Sequence, residues 1–460
     1  MAPASASTPP VDRTRPPAPG LLPPFRFPGF LHRRLDNGLE VLAARASDVP
    51  LISLEVVLPA GAHLDPPGRE GLATLTAGLV DEGTERRDAL EVAAAMERLG
   101  GSLFTGADWD VVYLAAGLLA RDWREGLALL VELLTQPTFP QREVERLRQQ
   151  RLAELLRRSR DPSTVADETL ARVIYDGTAY GGTLVGTRQS VEGFSREDFT
   201  AFFARHYGLD GAAVIAVGDL DPDEILAAVD ASLGRLPGGS KAPPPAVDPR
   251  PLPGTVVHVV DRPGAAQTEL RLGHAGIART DPRYAPAVLM NTILGGKFTS
   301  RINLSLRERH GYTYGATSRF FARRGPGPFV VDAAVATESA GVAAREVVHE
   351  LSRLRDEPVT EVELRETASY LIGVFPYTVQ TIGEVTRRLE TVAIYGLEDD
   401  CFDRYLERLA TVTAEEIREV ARELLHPDRL AIVAVGPAQE LAPQFEAMGN
   451  VTVVTQAAKG

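Results

Sequence analysis

Short apolar runs alternate along this chain with longer stretches of helical periodicity. Gly38-Leu-Glu-Val-Leu-Ala-Ala44 and Leu51-Ile-Ser-Leu-Glu-Val-Val-Leu58 read as neighbouring strands, and Val111-Val-Tyr-Leu-Ala-Ala116 as a third. Apolar positions spaced by three and four predict helices near 71–82, 88–99, 122–135, 141–159 and 164–175. The second half opens in the same way, with strands at Thr255-Val-Val-His-Val-Val260 and Thr268-Glu-Leu-Arg-Leu-Gly273. Helical patterning then dominates 281–310 and 338–424. Strands separated by helical runs predict an α+β fold, an α/β sandwich in which a mixed, mainly antiparallel sheet packs on helices.

The two halves are copies. Ser195-Arg-Glu-Asp-Phe-Thr-Ala-Phe-Phe-Ala-Arg-His-Tyr207 aligns with Thr413-Ala-Glu-Glu-Ile-Arg-Glu-Val-Ala-Arg-Glu-Leu-Leu425. The register continues ungapped, at one constant offset, until Ala212-Ala-Val-Ile-Ala-Val-Gly218 falls on Leu430-Ala-Ile-Val-Ala-Val-Gly436. Both copies begin with a capping-box pattern, Ser195 with Asp198 and Thr413 with Glu416. A helix, a turn and a strand in one register predict two homologous domains. We divide the chain into a Pro/Ala-rich disordered tail (1–28), a first domain (29–235), a Pro/Gly-rich linker (236–254) and a second domain (255–460).

Composition narrows the function by exclusion. At 460 residues, with 44% hydrophobic and 24% charged residues, the chain has material for two sizeable cores. A formal net charge of −13 argues against a nucleic-acid binder. The single cysteine, Cys401, excludes an intrachain disulfide and a cysteine metal site, and suits a reducing compartment. No apolar run approaches the roughly 20 residues of a membrane span, and the start lacks a secretory pattern. A cytoplasmic location is therefore expected. Gly295-Gly296 is followed by Lys-Phe rather than the Lys-Ser/Thr of a nucleotide loop, so those glycines are read as room for a turn or a close backbone approach.

The chemistry turns on Gly71-Leu-Ala-Thr-Leu-Thr-Ala-Gly78, which follows the strand Leu51–Leu58 and an acidic turn at Asp65. This layout resembles the pitrilysin/insulinase/processing-peptidase family of zinc peptidases. The resemblance implies that this helix would carry the inverted zinc motif HxxEH. Here its ligand positions are Thr74 and Gly78, and Ala77 stands where the glutamate base would be. No two of the eight histidines (32, 63, 206, 258, 274, 310, 349, 426) lie within five residues, so no helix presents a paired ligand. Leu72, Leu75, Leu79 and Val80 still form an apolar stripe, and Gly83 is placed as a C-terminal cap. The family's third ligand, a glutamate on a later helix, falls on Glu154; its plain alternative is a solvated or salt-bridged helix residue. No catalytic residue, metal or cofactor is expected in this chain.

The segment Asn291-Thr-Ile-Leu-Gly-Gly-Lys-Phe-Thr-Ser-Arg-Ile-Asn-Leu-Ser-Leu-Arg-Glu-Arg-His-Gly-Tyr-Thr-Tyr314 resembles a second signature of the same family. Arg307 and Tyr314 fall on its arginine–tyrosine pair, which the resemblance makes peptide-binding; Arg301 and Arg309 are the fallback arginines. Thr299 or Ser300 is placed to cap a helix that stops before Gly311, and Tyr312, Tyr314, Ala316 and Ser318 alternate along the strand beyond. A guanidinium offers paired donors to a carbonyl or carboxylate, and a phenol offers one to a peptide carbonyl. The alternative is a helix-end salt bridge for Arg307 and a half-buried strand position for Tyr314. The resemblance implies a non-catalytic, substrate-binding subunit of a heterodimer, with zinc in a homologous partner and extended or unfolded peptide as ligand. A scaffold subunit or a peptide-binding homodimer is the competing expectation.

Overall fold

The computed structural model describes residues 20, 23–46, 48–239 and 247–455. The first half runs β1 (Leu31–Arg34), β2 (Glu40–Arg45), β3 (Leu51–Leu58), α1 (Leu72–Leu79), α2 (Ala89–Arg98), β4 (Ser102–Ala107), β5 (Val112–Leu119), α3 (Trp123–Thr135), α4 (Gln141–Arg160) and α5 (Pro162–Ile174). It closes with α6 (Arg188–Glu192), α7 (Arg196–His206), β6 (Ala213–Gly218) and α8 (Pro222–Ser232). The second half runs β7 (Val256–Asp261), β8 (Gln267–Ala275), α9 (Tyr284–Asn291), α10 (Arg301–Asn303), β9 (Thr313–Phe320), β10 (Pro328–Ala336) and α11 (Ala340–Asp356). It ends with α12 (Glu361–Val374), α13 (Ile382–Tyr395), α14 (Cys401–Thr411), α15 (Ala414–Leu424), β11 (Ala431–Gly436), α16 (Ala438–Phe445) and β12 (Asn450–Thr455).

Each half builds one six-stranded sheet, in the orders β1-β2-β6-β3-β5-β4 and β12-β7-β11-β8-β10-β9. Five strands correspond with the same pairing sense: β2/β6 and β7/β11 are parallel, and the next three neighbours are antiparallel. Only the outermost strand differs, β1 being antiparallel to β2 and β12 parallel to β7. The fold is thus the expected α+β arrangement of two mixed, mainly antiparallel sheets. The ungapped repeat reappears intact: Arg196–His206 and Ala213–Gly218 of the first half match Ala414–Leu424 and Ala431–Gly436 of the second, start for start.

Both Ala-Val-Ile-Ala-Val-Gly and Ala-Ile-Val-Ala-Val-Gly are buried at every position. A strand is apolar on both faces when both faces of its sheet are covered. On one face of the first sheet, Val41, Leu54, Val56, Val214 and Ala216 meet helices of their own half, with Leu127 and Leu130 of α3. On the other face, Leu42, Ala44, Val57, Ile215 and Val217 meet Phe375, Val385, Leu389, Val392 and Phe402 from the second half. The second sheet is treated reciprocally: Val330, Ala431, Val433 and Val435 are covered by Val165, Leu170 and Ile174 of α5. Helices α5 and α13 are counterparts in the repeat, each following the two long helices that succeed its sheet's edge pair, β4–β5 or β9–β10. The halves have exchanged equivalent helices.

Polar contacts lock this exchange. The Tyr180 hydroxyl donates to Asp110 Oδ1 (2.6 Å), while the N–H groups of Arg324 and Gly325 donate to Asp110 Oδ2 (2.9 Å) and the Tyr180 oxygen (3.1 Å). The Arg323 guanidinium lies 4.7 Å from the Trp109 ring centroid and 4.8 Å from that of Tyr180. Of the segment read as a tail, residues 1–19, 21 and 22 lie outside the described residues. Phe25 and Phe27 are held: their rings meet Phe375 (5.8 Å) and Phe402 (4.6 Å), and the Phe27 N–H donates to Asp403 Oδ1 (2.9 Å). Residues 240–246 of the linker also lie outside the described residues, and Leu252 beyond them packs near the core that α5 covers.

Candidate functional site

Helix α1 starts where the sequence predicts, but its caps differ. Its first residue follows Gly71, whose φ of +92° admits glycine far more readily than any other residue. The N-terminal donors are taken by Asp65, whose two carboxylate oxygens accept from the N–H groups of Gly71 and Ala73, both at 2.8 Å. Burial pushes the Asp65 carboxyl up to about 7 despite those bonds. The helix stops at Leu79, and Gly83 (φ +149°) lies beyond it in a bridge to Asp88, so Gly83 is not its cap. The apolar stripe is divided: Leu72, Leu75 and Leu79 join one cluster, and Val80 joins the core of the first sheet.

Ala77 is fully buried in that sheet core. Gly78 has no side chain, and a Cβ there would meet Leu147 Cδ2 at 3.3 Å. Thr74 and Glu154 are brought together by a residue the sequence reading passed over. Arg151 Nη1 donates to Thr74 Oγ1 (3.0 Å) and to the Val185 carbonyl (3.1 Å), and its Nε lies 3.2 Å from Glu154 Oε2. The Thr74 hydroxyl donates onward to the Leu184 carbonyl (2.6 Å). The segment carrying Leu184 and Val185 can approach this closely because Gly186 lies against Gly71; a Cβ on Gly71 would stand 2.8 Å from the Gly186 Cα. Burial lowers the Arg151 pKa from the ordinary arginine value, and Glu154 pulls it back. Glu154 therefore takes the salt-bridged alternative. The signal for Arg151 was its spacing: three residues before Glu154, it shares that residue's helix face.

The second candidate site is built on an irregular edge. Strand β9 has β10 on one side and no strand on the other. Thr313 pairs with Val335 and Ala316 with Ala333, so Tyr314 and Gly315 stand opposite Ala334 alone. This is a β-bulge, which re-aims side chains. The alternation expected from Tyr312 to Ser318 fails here: Ala316 and Ser318 are buried, whereas Tyr314 is 90% exposed. Tyr314 is thus not the half-buried strand residue of the competing reading. The Thr313 hydroxyl fastens the bulge, accepting from the Gly315 N–H (3.1 Å) and lying 2.7 Å from the Ala334 carbonyl.

Two π-helical segments, Thr292–Gly296 and Leu304–Arg309, press against this strand. Segments of this kind are frequent at functional sites. Gly295 meets β9 so closely that a Cβ would lie 2.6 Å from the Ser318 nitrogen; its close backbone approach is to this chain's own strand. Asn291 Nδ2 donates to the Ser318 carbonyl (2.9 Å), and Asn303 Oδ1 accepts from the Ala316 N–H (3.1 Å). Ser300 occupies the N-cap position of α10, but its hydroxyl makes no capping bond.

The three candidate arginines are in different states. Arg301 is held by Glu363, its Nε and Nη2 donating at 2.9 and 2.8 Å, while its Nη1 is enclosed without a partner. Arg309 is exposed, 3.8 Å from Glu346. Arg307 lies 4.3 Å over the Phe298 ring, its Nη1 is enclosed without a partner, and the Glu308 carboxylate is 3.6 Å from its Nε. Among the described residues no group of three or more His, Cys, Asp or Glu side chains is arranged to hold a metal ion. Nor is any helix among them long and apolar enough to cross a membrane.

Known proteins share this architecture. The family model for insulinase (peptidase family M16) matches residues 40–188, and that for the peptidase M16 inactive domain matches residues 193–371. An uncharacterized zinc protease of Streptomyces coelicolor is 25% identical over 415 residues, covering 88% of this chain and 89% of that protein. The non-peptidase homolog YmxG of Helicobacter pylori is 25% identical over 381 residues, covering 81% of this chain and 85% of that one. Among solved structures, a peptidase M16 inactive domain from Pseudomonas fluorescens superposes with a TM-score of 0.83 at 25% identity, covering 89% of this chain and 98% of that chain.

Proposed function

The chain belongs to the M16 (insulinase) peptidase family as an inactive member, and from that premise we propose that it is the non-catalytic, substrate-binding subunit of a two-chain zinc metallopeptidase. In this reading a homologous partner of similar length supplies zinc and hydrolysis, and this chain holds no metal of its own. It completes the peptide chamber and steadies extended peptide near the partner's metal. The cytoplasm is its proposed location.

The observation that carries the reading is the state of Arg307 and Tyr314. Arg307 has an unbonded Nη1, and Tyr314 stands clear of the sheet at the bulge of β9. A guanidinium with an unbonded donor binds a peptide carbonyl or terminal carboxylate, and an exposed phenol adds one further donor. Arg301 also has an enclosed Nη1, but Glu363 grips its Nε and Nη2 at 2.9 and 2.8 Å, whereas Arg307 has only Glu308, 3.6 Å from its Nε, and so is the arginine left able to turn to a ligand. Extended peptide also suits an open sheet edge, where main-chain hydrogen bonds bind with little regard to sequence.

Affinity purification of the tagged full-length chain from its own cells tests the reading. We expect it to bring down a homologous chain with an intact HxxEH motif and about one zinc per pair. Recovery of the chain as a homodimer, or within a membrane complex without such a partner, favours the scaffold or stand-alone peptide-binder reading instead.

A further inference from the structure

We infer that the Arg151 guanidinium is the cation around which the degenerate site of the first half is built, and that it keeps a metal ion out of that position. This goes beyond the subunit proposal and stands whether or not the chain pairs with another.

Three acceptors from three segments converge on this one group: Thr74 Oγ1 from α1, the Val185 carbonyl from the connection before α6, and Glu154 Oε2 from α4 itself. The resemblance to the zinc peptidases assigns a metal to positions 74, 78 and 154, which lie on α1 and α4. Arg151 joins those same two helices. It does so as a monovalent cation with several directed donors, which suits the oxygens present, where zinc prefers nitrogen and sulfur along with carboxylate. The residues now at the site therefore do not fit zinc. Threonine and glycine offer no imidazole, and the remaining carboxylate is neutralised by a guanidinium rather than free to ligate.

A surface ion pair would not look like this. The Arg151 side chain is only 15% exposed, and two of its contacts are to groups other than a carboxylate. Arg142, on the same helix, is almost fully exposed with its carboxylate contact at 3.8 Å. Arg148, though as enclosed as Arg151, donates to the Val191, Glu192 and Phe194 carbonyls and to none of positions 74, 78 and 154. Arg151 alone of the three is both enclosed and bonded to those positions. A divalent ion placed among these acceptors would face an arginine that cannot deprotonate at neutral pH and that is largely buried, so solvent screens the repulsion less than at an open surface.

The test restores ligands with and without the arginine. Full-length Thr74→His/Gly78→His, and the same protein carrying Arg151→Leu as well, would be titrated with zinc against a chromophoric chelator and melted with and without the metal. With Arg151 present, we expect no stoichiometric zinc and no thermal shift. With Arg151 removed, we expect one zinc per chain, bound on the order of 100-fold more tightly, and a melting temperature that rises on adding zinc. Adding Glu154→Ala should abolish that binding. Equal zinc affinity in the two proteins, or no zinc in the folded protein lacking Arg151, would overturn the inference. So would zinc retained without Glu154.

A second measurement avoids the introduced histidines. In the otherwise unaltered chain, Arg151→Leu should lower the melting temperature by roughly 2–6 °C. Arg151→Lys should recover less than half of that, because an ammonium gathers its three donors on one nitrogen and cannot match the planar spread of Nε and Nη1 over these acceptors. An unchanged melt for Arg151→Leu would also overturn the inference.

Discussion

Helix α1 with strand β4 in the first half, and helix α9 with strand β9 in the second, are counterparts of one duplicated unit: each helix follows the matching central strand of its sheet, and each strand closes the same edge. Their polar groups have gone opposite ways. In the first, Thr74, Arg151 and Glu154 satisfy one another and neighbouring carbonyls, and Ala77 is sealed into the core. In the second, Arg307 keeps an enclosed, unbonded Nη1, and Tyr314 projects from a bulge. A region whose donors and acceptors are all paired is finished as structure. One that leaves a charged donor unpaired is destabilised in a way that a ligand can relieve. The duplication preserved the packing in both places, and on the proposed reading it left peptide-binding chemistry in only one.

The comparison can be broken or sharpened by mutation. The largest effect should come from the exchanged helices that hold both regions in one frame. Leu389→Ala on α13, or Leu170→Ala on α5, removes a buried side chain from a core shared by the two halves. Each should cost about 2–5 kcal/mol, and calorimetry should show one transition moved as a whole. Two separated transitions would mean that the regions do not share a frame. Next, in the assembled pair, Arg307→Ala should lower kcat/KM for peptide cleavage by about 10- to 100-fold and Tyr314→Phe by a smaller factor, with little change in melting temperature. Arg301→Ala should do the reverse, costing stability first because it strands Glu363. If all three variants behave alike, the distinction between an arginine gripped by a carboxylate and one held loosely is empty.

A smaller effect concerns pH at the junction between the halves. Glu55 on β3 is buried, and its carboxyl is pushed up to about 8 by burial and by Glu390 of α13, itself pushed up to about 7. The folded chain therefore binds protons that the unfolded chain has released. The stability these groups contribute is fully present below their ordinary value near 4.5, and is lost as pH rises through about 7 and 8. Melting temperature should fall between about pH 5 and 8, and Glu55→Gln should flatten that slope by roughly 2–4 °C across the range. An unaltered slope would show that these two carboxyls do not titrate as described.

Much of this molecule was legible in its sequence because the informative signals were local. The capping residues and apolar spacing of α7 and α15 placed them to within a residue. The continuous apolar runs of β6 and β11 announced strands covered on both faces. Strand β4 was missed, since Ser-Leu-Phe-Thr-Gly-Ala carries glycine and alanine where branched residues would mark a strand, and β10 was missed although Phe329, Val330, Val331 and Val335 mark one, because Pro328, Asp332 and the alanines interrupt the run. The helix exchange was invisible because periodicity fixes which face of a helix is apolar, not which sheet receives it. At the candidate sites, the resemblance singled out Tyr314, but its exposure, which depends on one extra residue in β9, was not legible. Arg151 was missed because its partners, Thr74 and Val185, lie on segments far from it in sequence.

The central claim is that this chain grips peptide and cannot cut it, and mixing tests it most directly. The purified chain, a purified HxxEH-bearing homologue from the same cells, and the two together would be assayed against a quenched fluorescent peptide, with and without a zinc chelator. We predict negligible cleavage by either protein alone, and rapid chelator-sensitive cleavage once they are combined. Chelator-sensitive cleavage by this chain on its own, or a mixture no more active than its parts, would contradict the account.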